Sequence, residues 1–311
     1  MIKEIGGFLF VGVIAMRFES LMGMLVVTIF LLVCGFLSSC EEENSDDLFE
    51  MCGSGDSTIV SGEIDRNTIW KYECSPYIVV DTLVVNEGVN LIIEPGVVVK
   101  FDVLKALIVK GTLIAYGTRD ERIIFTSRRQ FDPNWIYSKN WNFWGGIVFI
   151  KASNSSSIKY CDIKYCYERA IEIKDCNVTI SHCKIDSVFT LAETGPFYLV
   201  CHGSSRGLIE YNSITVSGYN SPGILCESPA NPIIKNNNIR CGEDALAVWG
   251  GGFLDGNYLE AYDGAVDATL GSPVDQVGDG ICNTTSTYRI PLFKNVDGVT
   301  NPRSTPNPLD W

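Results

Sequence analysis

The residues best suited to acid–base chemistry are two adjacent carboxylates, Glu243-Asp244, and one histidine, His202. Neighbouring carboxyl groups can divide into an acid and a base when their surroundings separate their pKa values. A solvated acid pair at a turn is the simpler interpretation, so these residues are weak catalytic candidates. The other histidine, His182, is expected to be a satisfied polar residue in a turn. With two histidines and no CxxC pair, the chain is poorly supplied for histidine triads or cysteine metal sites.

Residues 128–143, RRQFDPNWIYSKNWNF, place five aromatic side chains beside two arginines and an aspartate. Aromatic rings on a long loop suit stacking against sugar rings, and Arg and Asp can orient hydroxyl or uronate groups. The alternative is that the aromatics fold back as a local hydrophobic cover. The candidate ligand-binding residues are Arg128, Arg129, Asp132, Trp135, Tyr137 and Trp141.

Aspartate and glycine are dense after Tyr258, and their carboxylate and carbonyl oxygens are the ligands that Ca²⁺ prefers. The weak calcium candidates are Asp263, Asp267, Asp275 and Asp279. The alternative is a capping tail that covers the last strand edge, and no cofactor is required. A further set of charged residues is expected to form a solvated outer face rather than a site: Asp162, Glu168, Arg169, Glu172, Asp175, Asp186, Arg206 and Lys235.

The elements that position these residues are short strands. Residues 91–127 contain apolar runs of three to five residues, each ended by Gly or Pro, which favours strands over helices. After Trp144, a short motif recurs in which two aliphatic residues flank one position that is expected to point inward. Successive copies of that position are 22, 29, 25 and 20 residues apart. Such steps are typical of coils in a β solenoid. The inner position is expected to form a ladder of small or amide side chains: Cys161, Cys183, Asn212, Asn237 and Asn257.

A family resemblance supports this interpretation. The order of several motifs resembles that in bacterial right-handed parallel β-helix surface proteins of the pectate-lyase-like group. The motifs are Trp70, Pro76-Tyr77, the segments 91–101, 111–118 and 123–127, and Trp144-Gly145-Gly146-Ile147. The resemblance implies an all-β fold, a right-handed single-stranded parallel β-helix of seven to nine coils with an N-terminal cap and an irregular C-terminal capping tail. It implies no activity, because this architecture hosts enzymes, adhesins and inert scaffolds. In it, Trp144 is expected to be structural.

Two weaker resemblances concern sites. Residues 241–248 and Cys201-His202-Gly203 resemble the acid-pair and histidine segments of polygalacturonase-type glycosidases, in reversed order and without that family's Asn-Thr-Asp and Arg-x-Lys segments. Residues after 258 resemble the end of NosD-type β-helix proteins, except that Cys282 stands where that group has Gly-Asp.

The N-terminal region resembles a lipoprotein signal. An uncharged apolar stretch, residues 21–36, precedes Leu37-Ser38-Ser39-Cys40, which resembles a bacterial lipobox. We predict a signal peptide at 1–39 (starting at Met1 or Met16), an acidic tether at 40–57 after lipidated Cys40, a cap at 58–76, the solenoid at 77–260 and a tail at 261–311. The alternative at the N-terminus is a membrane-spanning helix. Cys52 and Cys74 flank the cap and either pair as a disulfide or stay unrelated.

These features predict an outer-membrane lipoprotein, facing the cell surface or the periplasm and anchored to the membrane by lipid on Cys40. The net charge of −13 argues against a nucleic-acid partner, and we expect a monomer. The leading hypothesis is a non-catalytic scaffold that binds polysaccharide or another surface ligand. The alternatives are a polysaccharide lyase or glycoside hydrolase of the pectate-lyase-like group, and a purely structural or adhesive protein.

Overall fold

The computed structural model describes residues 48–53, 55–129, 142–189, 197–216, 222–241, 244–248, 252–261, 264–268, 274–277, 280–284 and 299–300. The predicted signal peptide, Cys40 and the tether up to residue 47 lie outside these ranges. In the described part, no helix is long and apolar enough to cross a membrane.

The described residues form short strands and one 3-10 turn, Tyr72–Cys74. In chain order the strands are β1 (Phe49–Glu50), β2 (Thr58–Ile64), β3 (Thr68–Trp70), β4 (Tyr77–Val85), β5 (Asn90–Ile93), β6 (Val98–Phe101), β7 (Leu107–Val109), β8 (Thr112–Tyr116), β9 (Ile123–Ser127), β10 (Ile147–Ile150), β11 (Ser157–Lys159), β12 (Cys161–Tyr167), β13 (Arg169–Lys174), β14 (Thr179–Ser181), β15 (Lys184–Phe189), β16 (Phe197–His202), β17 (Leu208–Glu210), β18 (Ser213–Thr215), β19 (Ile224–Cys226), β20 (Ile233–Lys235), β21 (Asn238–Cys241), β22 (Asp244–Val248), β23 (Gly252–Asp255), β24 (Tyr258–Ala261), β25 (Gly264–Ala268), β26 (Val274–Val277), β27 (Gly280–Thr284) and β28 (Val299–Thr300).

These strands stack in parallel on three faces of a solenoid. Face A runs β1-β3-β5-β8-β11-β14-β17-β20-β23-β26. Face B begins with the first half of β4 and continues through β6, β9, β12, β15, β18, β21, β24, β27 and β28. Face C begins with the second half of β4 and continues through β7, β10, β13, β16, β19, β22 and β25. Seven consecutive coils, from β5 to β25, contribute one strand to every face, which confirms the predicted all-β parallel solenoid.

The interior is filled because alternate side chains of each strand point inward. In β10, Ile147 and Phe149 are fully buried, whereas Val148 and Ile150 are half-buried on the outside. Trp144 is fully buried and stacks on Phe101 of the preceding coil with ring centroids 4.1 Å apart, which confirms its structural role. Burying each large apolar side chain contributes about 1.5–3 kcal/mol, so the core stacks supply most of the stabilisation.

The predicted inner ladder is present at the turn between faces A and B. Asn212 accepts a hydrogen bond from the Cys183 N–H at 2.9 Å and donates its Nδ2 to the Ile180 carbonyl at 2.9 Å. Cys183 and Cys161 fill the equivalent slot in the two preceding coils as buried, free thiols. The ladder therefore satisfies turn backbone groups that have no strand partner.

At the N-terminal end, the structure forms the Cys52–Cys74 disulfide. Strands β1, β2 and β3 lie in the predicted tether and cap, and they pair in parallel with the next coils. At the other end, β25 to β28 lie beyond residue 260 in the predicted tail, and they continue the same parallel pairing.

Candidate functional site

The predicted ligand-binding loop is described only at its edges. Arg128 and Arg129 are exposed directly after β9, and Arg128 Nη1 lies 3.2 Å from Asp102 Oδ2. Asp132, Trp135, Tyr137 and Trp141 lie outside the described residues. Beyond the loop, Phe143 stacks on Phe189 of face B, with ring centroids 5.0 Å apart. The loop thus joins the solenoid between faces B and C.

The predicted acidic candidates are described only in part. Glu243, Asp263 and Asp279 lie outside the described residues. Asp244, Asp267 and Asp275 lie in β22, β25 and β26, and only the backbone of these three residues is described. Within the described ranges, no group of three His, Cys, Asp or Glu side chains is arranged to hold a metal ion. Calcium binding in the tail stays a prediction.

His202 is the predicted candidate with a defined chemical environment. It ends β16 on the outside of face C, where its neighbour in the preceding coil is Lys174 of β13. Its Nδ1 lies 2.6 Å from Oε2 of Glu227, the residue directly after β19. Its Nε2 lies 3.6 Å from Oε1 of Glu172 in β13. Three successive coils therefore place an imidazole between two carboxylates.

Arg169 extends this arrangement along β13. Its Nη1 pairs with Glu172, and its Nη2 lies 3.4 Å from Glu168 Oε2. Burial lowers the pKa of Arg169, but the hydrogen bonds and charges of Glu172 and Glu168 outweigh burial, and the net pKa is raised. Arg169 is therefore a fixed positive charge. We call Glu168, Arg169, Glu172, His202 and Glu227 the face C network.

The face C network places hydrogen-bonding groups side by side on the outer face. His202 Nδ1 lies against Glu227, and His202 Nε2 faces Glu172 Oε1 at 3.6 Å. In the tautomer whose Nδ1–H donates to Glu227, Nε2 and Glu172 Oε1 are two facing acceptors. A hydroxyl group of a ligand can donate between them. The same geometry, an imidazole oriented by a carboxylate, also resembles a general base. Glu172 is only 15% exposed, so a ligand that reaches it also displaces water.

An apolar patch adjoins the network on the same outer face. Val200, Leu225 and Ala247 stack in register outside the solenoid core, and each is buried, with Phe197 packed against them. Val200 lies two residues before His202, and Leu225 two residues before Glu227, so the patch borders the polar groups. Because these side chains are almost fully buried, they hold the polar groups in place rather than offering apolar area to a ligand.

Glu168, Arg169 and Glu172 were expected only to form part of a solvated charged face. The structure pairs Arg169 with both glutamates, and Glu172 is the residue that the strand register brings within 3.6 Å of His202. Glu227 was missed. A signal for it exists in the sequence: His202 and Glu227 are 25 residues apart, the same step that separates Asn212 from Asn237. Residues one coil step apart stack directly over each other.

Comparison with known proteins agrees with this architecture. Residues 123–276 match the family model described as the right handed beta helix region. The chain is a right-handed β-helix protein. This finding is consistent with the resemblance to pectate-lyase-like and NosD-type proteins.

A relative among curated proteins is "Protein bark beetle" of Drosophila melanogaster, which is 40% identical over 67 residues. That segment is 22% of this chain and 2% of the fly protein, so the chain spans only a small part of this relative. No solved structure matches the β-helix chain.

Proposed function

We propose that this β-helix protein is a non-catalytic scaffold that binds a glycan on the outside of face C and is anchored to the cell envelope by lipid on Cys40. The observation that carries the proposal is the close approach of His202 Nε2 and Glu172 Oε1, 3.6 Å apart beside the fixed charge of Arg169. Vicinal sugar hydroxyls are donors and acceptors at similar separations, and they suit such a cluster.

The predicted aromatic loop supports the same location. The loop begins after β9 and ends before β10, so it joins the solenoid at the border of faces B and C, the end of face C at which Glu168 and Arg169 lie. Trp135, Tyr137 and Trp141 would provide apolar ring surfaces, and the network would fix the hydroxyl orientation. In binding sites generally, aromatic rings supply most of the buried apolar area, and a few polar groups supply specificity.

The test is binding of the full-length protein, purified in a mild detergent, to an array of bacterial and plant polysaccharides. We expect binding that falls about tenfold or more in His202→Ala and Glu172→Gln, because each removes a partly buried polar partner worth about 1.4 kcal/mol or more. Glu87→Gln, an exposed carboxylate far along the solenoid, is the matched control. If both network variants bind like Glu87→Gln, the site is not on face C; if nothing binds, the structural or adhesive alternative is favoured.

A polysaccharide lyase or glycoside hydrolase is the second candidate. The observation in its favour is that Glu227 orients the imidazole of His202, as a carboxylate does for a general base. A glycosidase, however, requires two carboxyl groups that flank the scissile bond, and here Glu172 is engaged with Arg169 and Glu227 with His202. The non-catalytic proposal therefore ranks first.

Anchoring is tested separately. In the host bacterium we expect the wild-type protein to fractionate with membranes and Cys40→Ala to lose that association, because one diacylated cysteine supplies the lipid. Cys52→Ala, which removes a cysteine not used for lipidation, is the control. Equal membrane association of Cys40→Ala and the control would refute the lipid anchor.

A further inference from the structure

The turn between faces A and B carries an aromatic side chain in three successive coils. Tyr160, His182 and Tyr211 each immediately precede the inner ladder position, and each has a left-handed backbone, with φ of 50°, 56° and 55°. The next two coils carry Asn236 and Gly256 at the same place, with φ of 55° and 59°. We call Tyr160, His182 and Tyr211 the aromatic edge.

The backbone conformation at this turn position does not require an aromatic residue. A left-handed conformation is strained for bulky residues, whereas Gly and Asn adopt it readily, as the last two coils show. The same conformation occurs at other non-glycine residues of the solenoid, among them Leu104, Lys151 and Asp175, so it reflects the turn geometry. The turn geometry therefore does not explain why three successive coils carry a ring here.

The rings form a short stack that is open at both ends. The ring centroids of Tyr160 and His182 are 4.6 Å apart, and those of His182 and Tyr211 are 5.1 Å apart. Before Tyr160, the equivalent turn position is Gly117, which has no side chain, and after Tyr211 it is the smaller Asn236. Tyr211 is accordingly 52% exposed. Tyr160 and His182 are half-buried, so the exposed ring surface of the stack belongs mainly to Tyr211.

Basic groups flank the aromatic edge in a protein that is strongly acidic overall. Lys159 Nζ lies 5.6 Å from the centroid of the Tyr160 ring, and Arg122 Cζ lies 5.9 Å from it. Lys184 is exposed on face B, two residues after His182. The acidic neighbours are engaged, since Asp162 pairs with Arg122 at 2.5 Å and Glu210 pairs with Lys235 at 3.2 Å.

His182 contributes a neutral ring. Burial is the largest cause that lowers its pKa; Lys159 and Arg122 lower it too, and Glu210 opposes them. At neutral pH, the imidazole is therefore uncharged. Its Nδ1 is buried without a hydrogen-bond partner among the described residues, contrary to the expectation of a satisfied polar residue.

We propose that the aromatic edge is a second binding site, independent of face C, for an acidic saccharide chain that lies along the solenoid axis. The C–H face of a sugar ring would pack on the exposed ring of Tyr211, where burial of apolar area is favourable. Carboxylate or sulfate groups on the chain would pair with Lys159 and Lys184, whose ammonium groups are strong donors to anions.

The test measures binding of two probes to the full-length protein in detergent. The probes are cello-oligosaccharides and the same oligosaccharides oxidised at C6 to glucuronates, so that chain length and linkage match while charge differs. We expect the oxidised chains to bind more tightly by about tenfold, with affinity that rises with length up to several sugars and falls with added salt. Equal binding of both probes, or binding of neither, would overturn the proposal.

Variants then locate the site. Tyr211→Asn should reduce affinity by about tenfold, whereas Tyr211→Phe, which keeps the ring, should bind like the wild type. Lys159→Gln with Lys184→Gln should flatten the salt dependence. Glu87→Gln, an exposed carboxylate outside both proposed sites, should leave this binding unchanged. The effect of Tyr211→Asn should persist in a His202→Ala background, so that failure of the face C proposal and failure of this one are distinguishable.

A stability measurement separates a binding role from a merely structural stack. Because Asn is accepted at this turn in the coil of Asn236, Tyr211→Asn should leave the thermal midpoint unchanged or raise it. A clear fall in the midpoint together with unchanged affinity for the oxidised chains would mean that the stack only holds the turns together, and would overturn the proposal.

Discussion

The inner ladder gives the sharpest stability prediction, at Asn237. This side chain is fully buried; its Oδ1 accepts the Asn212 N–H at 2.9 Å, and its Nδ2 donates to the Ile209 carbonyl at 2.9 Å and to Asn257 Oδ1 at 2.9 Å. Replacement by Ala removes all three bonds and leaves the buried Asn212 N–H without its acceptor.

The magnitude follows from those contacts. One orphaned buried donor costs about 1–3 kcal/mol, and each further lost hydrogen bond about 1 kcal/mol, so Asn237→Ala should lower the free energy of unfolding by roughly 3–5 kcal/mol. The assay is urea unfolding of the full-length protein in detergent, followed by circular dichroism. Asn238→Ala, an exposed neighbour on face B, is the control and should change stability by less than about 0.5 kcal/mol. Equal midpoints for the two variants would refute the account of the ladder.

Three other predictions follow from the same contacts. Trp144→Ala should cost about 3–5 kcal/mol in urea unfolding, because it empties a fully buried site. Arg122→Ala should cost about 2–4 kcal/mol, because its Nη2 donates at 2.9 Å to the carbonyls of both Cys161 and His182; Arg66→Ala, at an exposed pair, should cost less than about 1 kcal/mol. Cys161, Cys166 and Cys176 should resist a thiol reagent until the protein unfolds, because burial raises their thiol pKa values; stability should therefore be intact below the ordinary cysteine pKa of 9.0 and fall as the pH rises above it. Labelling of any of these three cysteines in the native protein at pH 8, or a stability that does not fall above pH 9, would contradict this last prediction.

The fold was predictable because its signals are local. Short apolar runs ended by Gly or Pro define the strands, and the spacing of Cys161, Cys183 and Asn212 defines the coil. Ladder residues are recognisable since their role, satisfying turn backbone from the inside, admits few side-chain types. The exact strand register was not predictable, because loop lengths between faces B and C vary from coil to coil.

The candidate sites depend on that register, and so they were predicted less well. His202 was recognised, but its partners Glu172 and Glu227 come from other coils, and only the stacking of coils brings them together. The aromatic edge was overlooked although Tyr160, His182 and Tyr211 hold the same place in the repeat. Aligning the repeat on its ladder residues would have shown it. The predicted loop residues Trp135 and Trp141 stay predictions.

The most direct test of the central claim, a β-helix that binds glycan without cleaving it, uses one sample for both properties. The full-length protein is incubated with each polysaccharide that it binds, and the mixture is assayed for bound protein and for new reducing or unsaturated ends, beside the Trp135→Ala/Trp141→Ala double variant. We expect polysaccharide binding by the wild-type protein that weakens in the double variant, and no new chain ends from either protein. New chain ends from the wild-type protein that disappear in His202→Ala would contradict the account and identify face C as the site of an enzyme.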